Sequence, residues 1–142
     1  MYFVDKNVLN QRLDYIENLT ESIDTDNLLA LERTCHMLIE AAVDVGNMII
    51  DAFILRDPGN YADVIDILNQ EGVVSKEDAE KLKNTLKWRT ELTRNYQSLD
   101  HEAMQKDFKE NISAYKNLKG SIEHFFKNDP QAVTAFSSDT DV

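Results

Sequence analysis

The 142-residue chain holds one cysteine, two prolines and four glycines. A single Cys35 allows no internal disulfide and no zinc site built from several thiolates. So few helix breakers over this length favour long helices and disfavour a sandwich of many short strands. Positive charge is also scarce: 15 Lys and Arg stand against 26 Asp and Glu, for a net charge of −11. That balance excludes a broad electrostatic grip on DNA, RNA or anionic lipid and leaves room only for a local basic site. No apolar run spans a bilayer, because Glu40, Asp44, Asn47 and Asp51 interrupt the most apolar window, Leu38 to Leu55. The opening MYFVDKNVLNQR has no basic stretch leading into an apolar one, so no secretory signal is expected. The expectation is a soluble, cytoplasmic protein. A Gly-rich phosphate loop, an internal repeat and the HxH and HExxH metal patterns are all missing.

What is present is a core, with 42% hydrophobic residues, arranged at helical spacing. Five helical segments are expected. The first runs from about Asp5 to Ile23, with Val8, Arg12, Ile16 and Leu19 on one face and Leu9 and Leu13 widening it. The second reaches from about Asp26 to Leu55, where RDPGN (Arg56 to Asn60) breaks the chain. The third is short, Tyr61 to Asn69. The fourth opens on Ser75 as N-cap with acids in its first turn and continues through Leu82 and Leu86 to Leu92. The fifth follows Asp100 and carries Met104, Phe108, Ile112, Tyr115, Leu118, Ile122 and Phe125. These spacings predict an all-α protein, an antiparallel bundle of four long helices and one short one. The helical domain is expected over 1–126, followed by a mobile acidic tail over 127–142. In the second helix Leu28, Leu31, Cys35, Leu38, Ile39, Ala42, Ile49 and Phe53 share a broad apolar side, and Gly46 there allows a close helix approach. Opposite runs a narrow stripe of Arg33, Glu40, Asp44, Asn47 and Asp51, with His36 at its edge.

Few residues carry chemistry. His36 and Glu40 form an i, i+4 pair, read as a helix-surface ion pair before a metal site. The row Glu40, Asp44, Asp51 reads as a solvated face or as carboxylates neutralising an arginine, ahead of a magnesium site. His101 and His124 are expected at the two ends of the fifth helix, His101 solvated. Cys35 is expected in the core. No metal and no cofactor are expected. The segment LKWRTELTRNYQSLD (Leu86 to Asp100) stands apart, because Arg89 and Tyr96 fall close in phase with Leu82, Leu86 and Leu92. A core-facing arginine needs a partner, and Asp44 or another acid would supply one. On an ideal helix Arg94 points about 140° away from Arg89. The two share a cleft only if the helix bends or ends, or if a second subunit closes the site.

Three stretches, LERTCHMLIEAAVDVGNMIID (Leu31 to Asp51), DPGNYADVIDIL (Asp57 to Leu68) and LKWRTELTRNYQSLD, resemble the HepT-like proteins of the HEPN superfamily. The resemblance extends from about Val4 to Phe126 and includes the Asp44-x-x-Asn47 turn. The signature of that family is R-x4-H-x-Y. Arg89 matches its arginine and Tyr96 its tyrosine, whereas Arg94 occupies the histidine position and Thr90 an asparagine position. The resemblance implies a homodimer with a cleft at its interface and metal-independent endoribonuclease activity on RNA, transfer RNA included. It also implies a toxin–antitoxin pair in which an MNT-type nucleotidyltransferase silences the toxin by adding AMP to Tyr96. Asp44 and Asn47 would orient Arg89, and Glu91 would pair locally with Arg94. Arginine binds phosphate but cannot act as a base. The expectation is therefore weakened cleavage at Arg89 and Arg94, the alternative being a catalytically silent dimer that binds nucleotide, RNA or a protein partner.

Overall fold

Six α-helices carry the fold in the computed structural model, which describes residues 4–128 and 136–137. They are α1 (Lys6–Thr20), α2 (Leu28–Phe53), α3 (Tyr61–Gln70), α4 (Lys76–Leu86), α5 (Trp88–Thr93) and α6 (His101–Asn128), with a 3-10 turn at Tyr96–Ser98. The two-residue strands β1 (Val4–Asp5) and β2 (Phe136–Ser137) pair in parallel, Val4 opposite Phe136. The domain boundary expected at 126 falls inside α6, which continues through Lys127 and Asn128. The rest of the expected tail, 129–135 and 138–142, lies outside the described residues. Among the described residues no helix is long and apolar enough to cross a membrane.

Side chains set the helix starts. Asp5, Asn27, Asn60, Ser75 and Asp100 each accept a backbone N–H of the following first turn, a contact that stabilises a helix by about 1 kcal/mol. Ser75 caps α4 as expected, whereas α2 begins at Leu28, behind Asn27, and not near Asp26. Helix α2 is the central element, packed against α1, α3, α5 and α6. Its buried side includes Leu31, Cys35, Leu38, Ile39, Ala42 and Ile49. Burial pushes the Cys35 thiol up to about 12, so it is a packed core group. Leu28 is exposed, because burial along α2 starts only at Leu31. A Cβ on Gly46 would lie 2.5 Å from Val64 Cγ1, so α3 crosses α2 at a distance only glycine permits.

Two expectations are corrected. The buried face of α1 is Leu9, Leu13, Ile16 and Thr20, about one residue out of phase with the expected one, and Arg12 is exposed. The expected fourth helix is two helices, broken at Lys87 between α4 and α5. The Thr85 hydroxyl binds the Leu82 carbonyl at 2.9 Å and meets Tyr115 Oη at 2.7 Å, and such back-bonding bends helices. Past the break, Trp88 Nε1 donates to Asp107 Oδ2 at 2.7 Å and docks α5 on α6. Helix α5 also packs against α2.

The RDPGN loop returns the chain so that α3 opens beside α2. Arg56 grips both Asp63 oxygens at 2.7 Å, and the Gly59 N–H donates to Asp63 Oδ2 at 2.9 Å. Arg56, with help from that N–H, holds the Asp63 carboxyl down at about 2. This clamp contributes stability that is complete above the ordinary carboxylate pKa of about 4 and is lost as pH falls toward 2. The gap in thermal midpoint between wild type and Asp63→Asn is therefore expected to be constant above pH ~4 and to close at lower pH. Gly46→Ala is expected to lower unfolding stability in urea by about 1–3 kcal/mol through overpacking. An unchanged urea midpoint would show that α3 gives way at no cost.

Candidate active site

Glu40 sits half-buried on α2 and gathers side chains from two other helices. Arg89 of α5 donates from Nε to Glu40 Oε1 at 2.8 Å, and Tyr61 of α3 donates from its hydroxyl to Oε2 at 2.9 Å. The Arg89 guanidinium also lies over the Tyr61 ring, 4.7 Å from the centroid, an attractive cation–π geometry. His36, one turn earlier on α2, places Nε2 3.3 Å from Glu40 Oε1. The i, i+4 pair expected of His36 and Glu40 is thus formed, with the carboxylate shared by Arg89.

The electrostatics follow from these contacts. Partial burial pushes the Glu40 carboxyl up, but the Arg89 and Tyr61 hydrogen bonds and the Arg89 and His36 charges outweigh it and leave it below its ordinary value. The bond to Glu40 raises the Arg89 pKa, against slight burial, so the guanidinium stays charged. Burial first, then the bond to Glu40 and its negative charge, push the Tyr61 phenol up, so its hydroxyl remains a donor.

The expected site residues are only partly brought together. The Arg89 side chain is 45% exposed and does not face the core. Its partner is Glu40, a member of the acidic stripe. Asp44 and Asn47 lie further along the same stripe and make no hydrogen bond to Arg89 among the described residues. Arg94 ends α5 and is exposed, and its side chain has no hydrogen bond or ion pair among the described residues. Glu91 does not pair with it; Glu91 accepts from Asn95 Nδ2 at 3.1 Å instead. Tyr96 opens the 3-10 turn and is 65% exposed. His101 is not solvated but binds Glu32 of α2 at 2.7 Å. No group of three or more His, Cys, Asp or Glu is gathered as a metal site among the described residues.

Sequence reasoning missed Tyr61 and the choice of Glu40 over Asp44. The available signal was the Asn60 cap, which fixes Tyr61 as the first residue of α3, and the stripe on α2 that had to face something. Chemically, Arg89 presents a charged, oriented guanidinium at the surface, and Arg94, at the end of the same short helix, adds a second exposed cation with no carboxylate partner among the described residues. Guanidinium groups suit phosphate oxygens and negative charge that develops on them.

A family model described as Ribonuclease HepT-like matches residues 8–122. A protein of Bacillus subtilis (strain 168) named "Putative RNase YutE" is 33% identical over 143 residues, 96% of this chain and 99% of that protein. A solved structure, described as the cytosolic protein of unknown function YutE from Bacillus subtilis, matches with a TM-score of 0.86 at 33% identity. That match covers 96% of this chain and all of the other. With the family model spanning most of its length and a one-third-identical relative aligned almost end to end, the chain belongs to the ribonuclease HepT-like family.

Proposed function

We propose that the chain is a HepT-like endoribonuclease that cleaves RNA phosphodiester bonds without a metal, at a cleft closed by a second copy of the chain. The observation that carries this reading is the Arg89 guanidinium, charged, exposed and held in one orientation by Glu40 and Tyr61. Nearly half of the Arg89 side chain is in solvent, where a phosphate can reach it. Arg94 adds a second phosphate-binding cation, but it takes no proton from a hydroxyl, so cleavage through the motif alone is weak. A name meaning ribonuclease on a relative of full-length similarity supports the activity, and the cytosolic description of its structure supports a cytoplasmic location.

The family resemblance extends the proposal to a toxin–antitoxin setting, with structured RNA such as transfer RNA as target and an MNT-type nucleotidyltransferase as partner. The exposed Tyr96 hydroxyl, on a turn just past α5, is accessible as an AMP acceptor. A second reading, a silent dimer that binds RNA or nucleotide, is favoured by the lack of a base at position 94.

Purified protein incubated with RNA separates the two. On the ribonuclease reading wild type cleaves with turnover, and Arg89→Ala slows it about 10²–10³-fold, the size of losing one electrostatic stabiliser. RNA binding without turnover, with cleavage appearing in Arg94→His, would establish the silent reading. Light scattering is expected to return twice the 16.3 kDa chain mass, and a monomer at working concentration would remove the shared cleft. With an MNT-type transferase and ATP, mass spectrometry is expected to show AMP on wild type and none on Tyr96→Phe.

A further inference from the structure

The site as the family motif defines it lacks a base, and the fold brings a histidine to it from another helix. Glu32, His36 and Glu40 stand at successive i, i+4 positions on α2 and form one column along its surface. Glu40 binds Arg89, the first residue of the motif, and Glu32 binds His101, the first residue of α6. The stretch from Arg89 to His101 is thus tied to the α2 column at both of its ends, one turn to either side of His36. The His36 side chain is 33% exposed, and its Nε2 approaches the carboxylate oxygen that binds Arg89. No hydrogen bond engages its Nδ1 among the described residues.

We propose that His36 is the base missing at position 94 and takes the proton from a ribose 2′-hydroxyl of RNA whose phosphate is held by Arg89 and Arg94. The inference rests on the ribonuclease reading and assigns the proton-transfer residue of that same site. The Glu40 carboxylate favours a proton on Nε2, which leaves the lone pair on Nδ1. Nδ1 accepts the 2′ proton, and the 2′ oxygen forms a bond to the adjacent phosphorus. The bond from phosphorus to the 5′ oxygen breaks. The proton on His36 returns through water to that leaving oxygen, so the imidazole ends neutral. The products are a 2′,3′-cyclic phosphate and a 5′-hydroxyl. The titratable and charged groups around His36 are Glu32, Arg33 and Glu40 on α2, Arg89 on α5, Tyr61 on α3 and His101 on α6.

The test compares full-length wild type, His36→Gln, His36→Asn and Arg89→Ala on one RNA oligonucleotide from pH 5 to 8.5, with circular dichroism to confirm folding. Wild type is expected to give cyclic-phosphate ends and a rate that rises with pH over the range tested. Both His36 variants are expected to bind the RNA as wild type does, to cleave about 10²–10⁴-fold more slowly, and to lose the rise with pH. Cleavage by His36→Gln at the wild-type rate, or slower cleavage with the same pH profile, would overturn the role of His36 and leave the ribonuclease reading standing. If wild type binds RNA and cuts it at no pH, the ribonuclease reading fails and the assignment of His36 fails with it.

Discussion

One carboxylate joins three helices at the point where the chemistry is placed. Glu40 takes Arg89 from α5 on one oxygen and Tyr61 from α3 on the other, while His36 flanks it on α2. Each partner is costly alone: a half-buried carboxylate resists ionisation, and a guanidinium on a six-residue helix has many orientations to lose. Together they fix one another. The negative charge anchors the cation, the Tyr61 ring supports its face, and the Tyr61 hydroxyl occupies the oxygen that Arg89 leaves. The Arg56–Asp63 clamp sets where α3 begins, and the close approach at Gly46 sets how near α3 comes to α2, so both distant features act on Glu40 through Tyr61.

The sequence made the helices legible because their signals are local. The Ser75 cap, the RDPGN break, the small Gly46 and the broad apolar side of α2 each act within a few residues of chain, and each is present in the fold. The break at Lys87 was not legible, because it depends on Thr85 meeting Tyr115 and Trp88 meeting Asp107, contacts across 30 and 19 residues. Beyond the break Arg89 binds Glu40 and stays partly in solvent instead of facing the core. The partner of Arg89 was legible as a type, an acid from the stripe on α2, and not as a position. Glu40, Asp44 and Asp51 share one face, and only the height at which α5 crosses selects among them. The same holds for His101, whose bond to Glu32 joins residues 69 apart.

The arginine at position 94 takes on a particular meaning in this geometry. It ends α5, where a positive side chain is favoured by the carbonyl end of the helix, and no carboxylate neutralises it among the described residues. Histidine there would serve both as charge and as proton carrier. Arginine keeps the charge at every pH and gives up proton transfer. On the proposed assignment of His36 the two tasks fall to different helices, the arginines of the motif taking the phosphate and the histidine of α2 the proton.

Charge balance decides what kind of RNA such a site can meet. Arg56, Lys81, Lys83, Lys87, Arg89, Lys109 and Lys119 are each engaged with a carboxylate, and the chain as a whole carries −11. A polyanion is repelled at a distance, and that repulsion is screened beyond about 8 Å at physiological ionic strength. With so many of the 15 basic side chains held by carboxylates, few counterions are released and little affinity accumulates along a backbone track. A long duplex laid on this surface brings phosphates against carboxylates on either side of the site. A sharply bent loop presents one phosphate to the two arginines and carries its neighbours away from the acidic flanks. On the ribonuclease reading, the acidic surface thus works as a filter that turns away extended RNA and admits folded RNA through its bends.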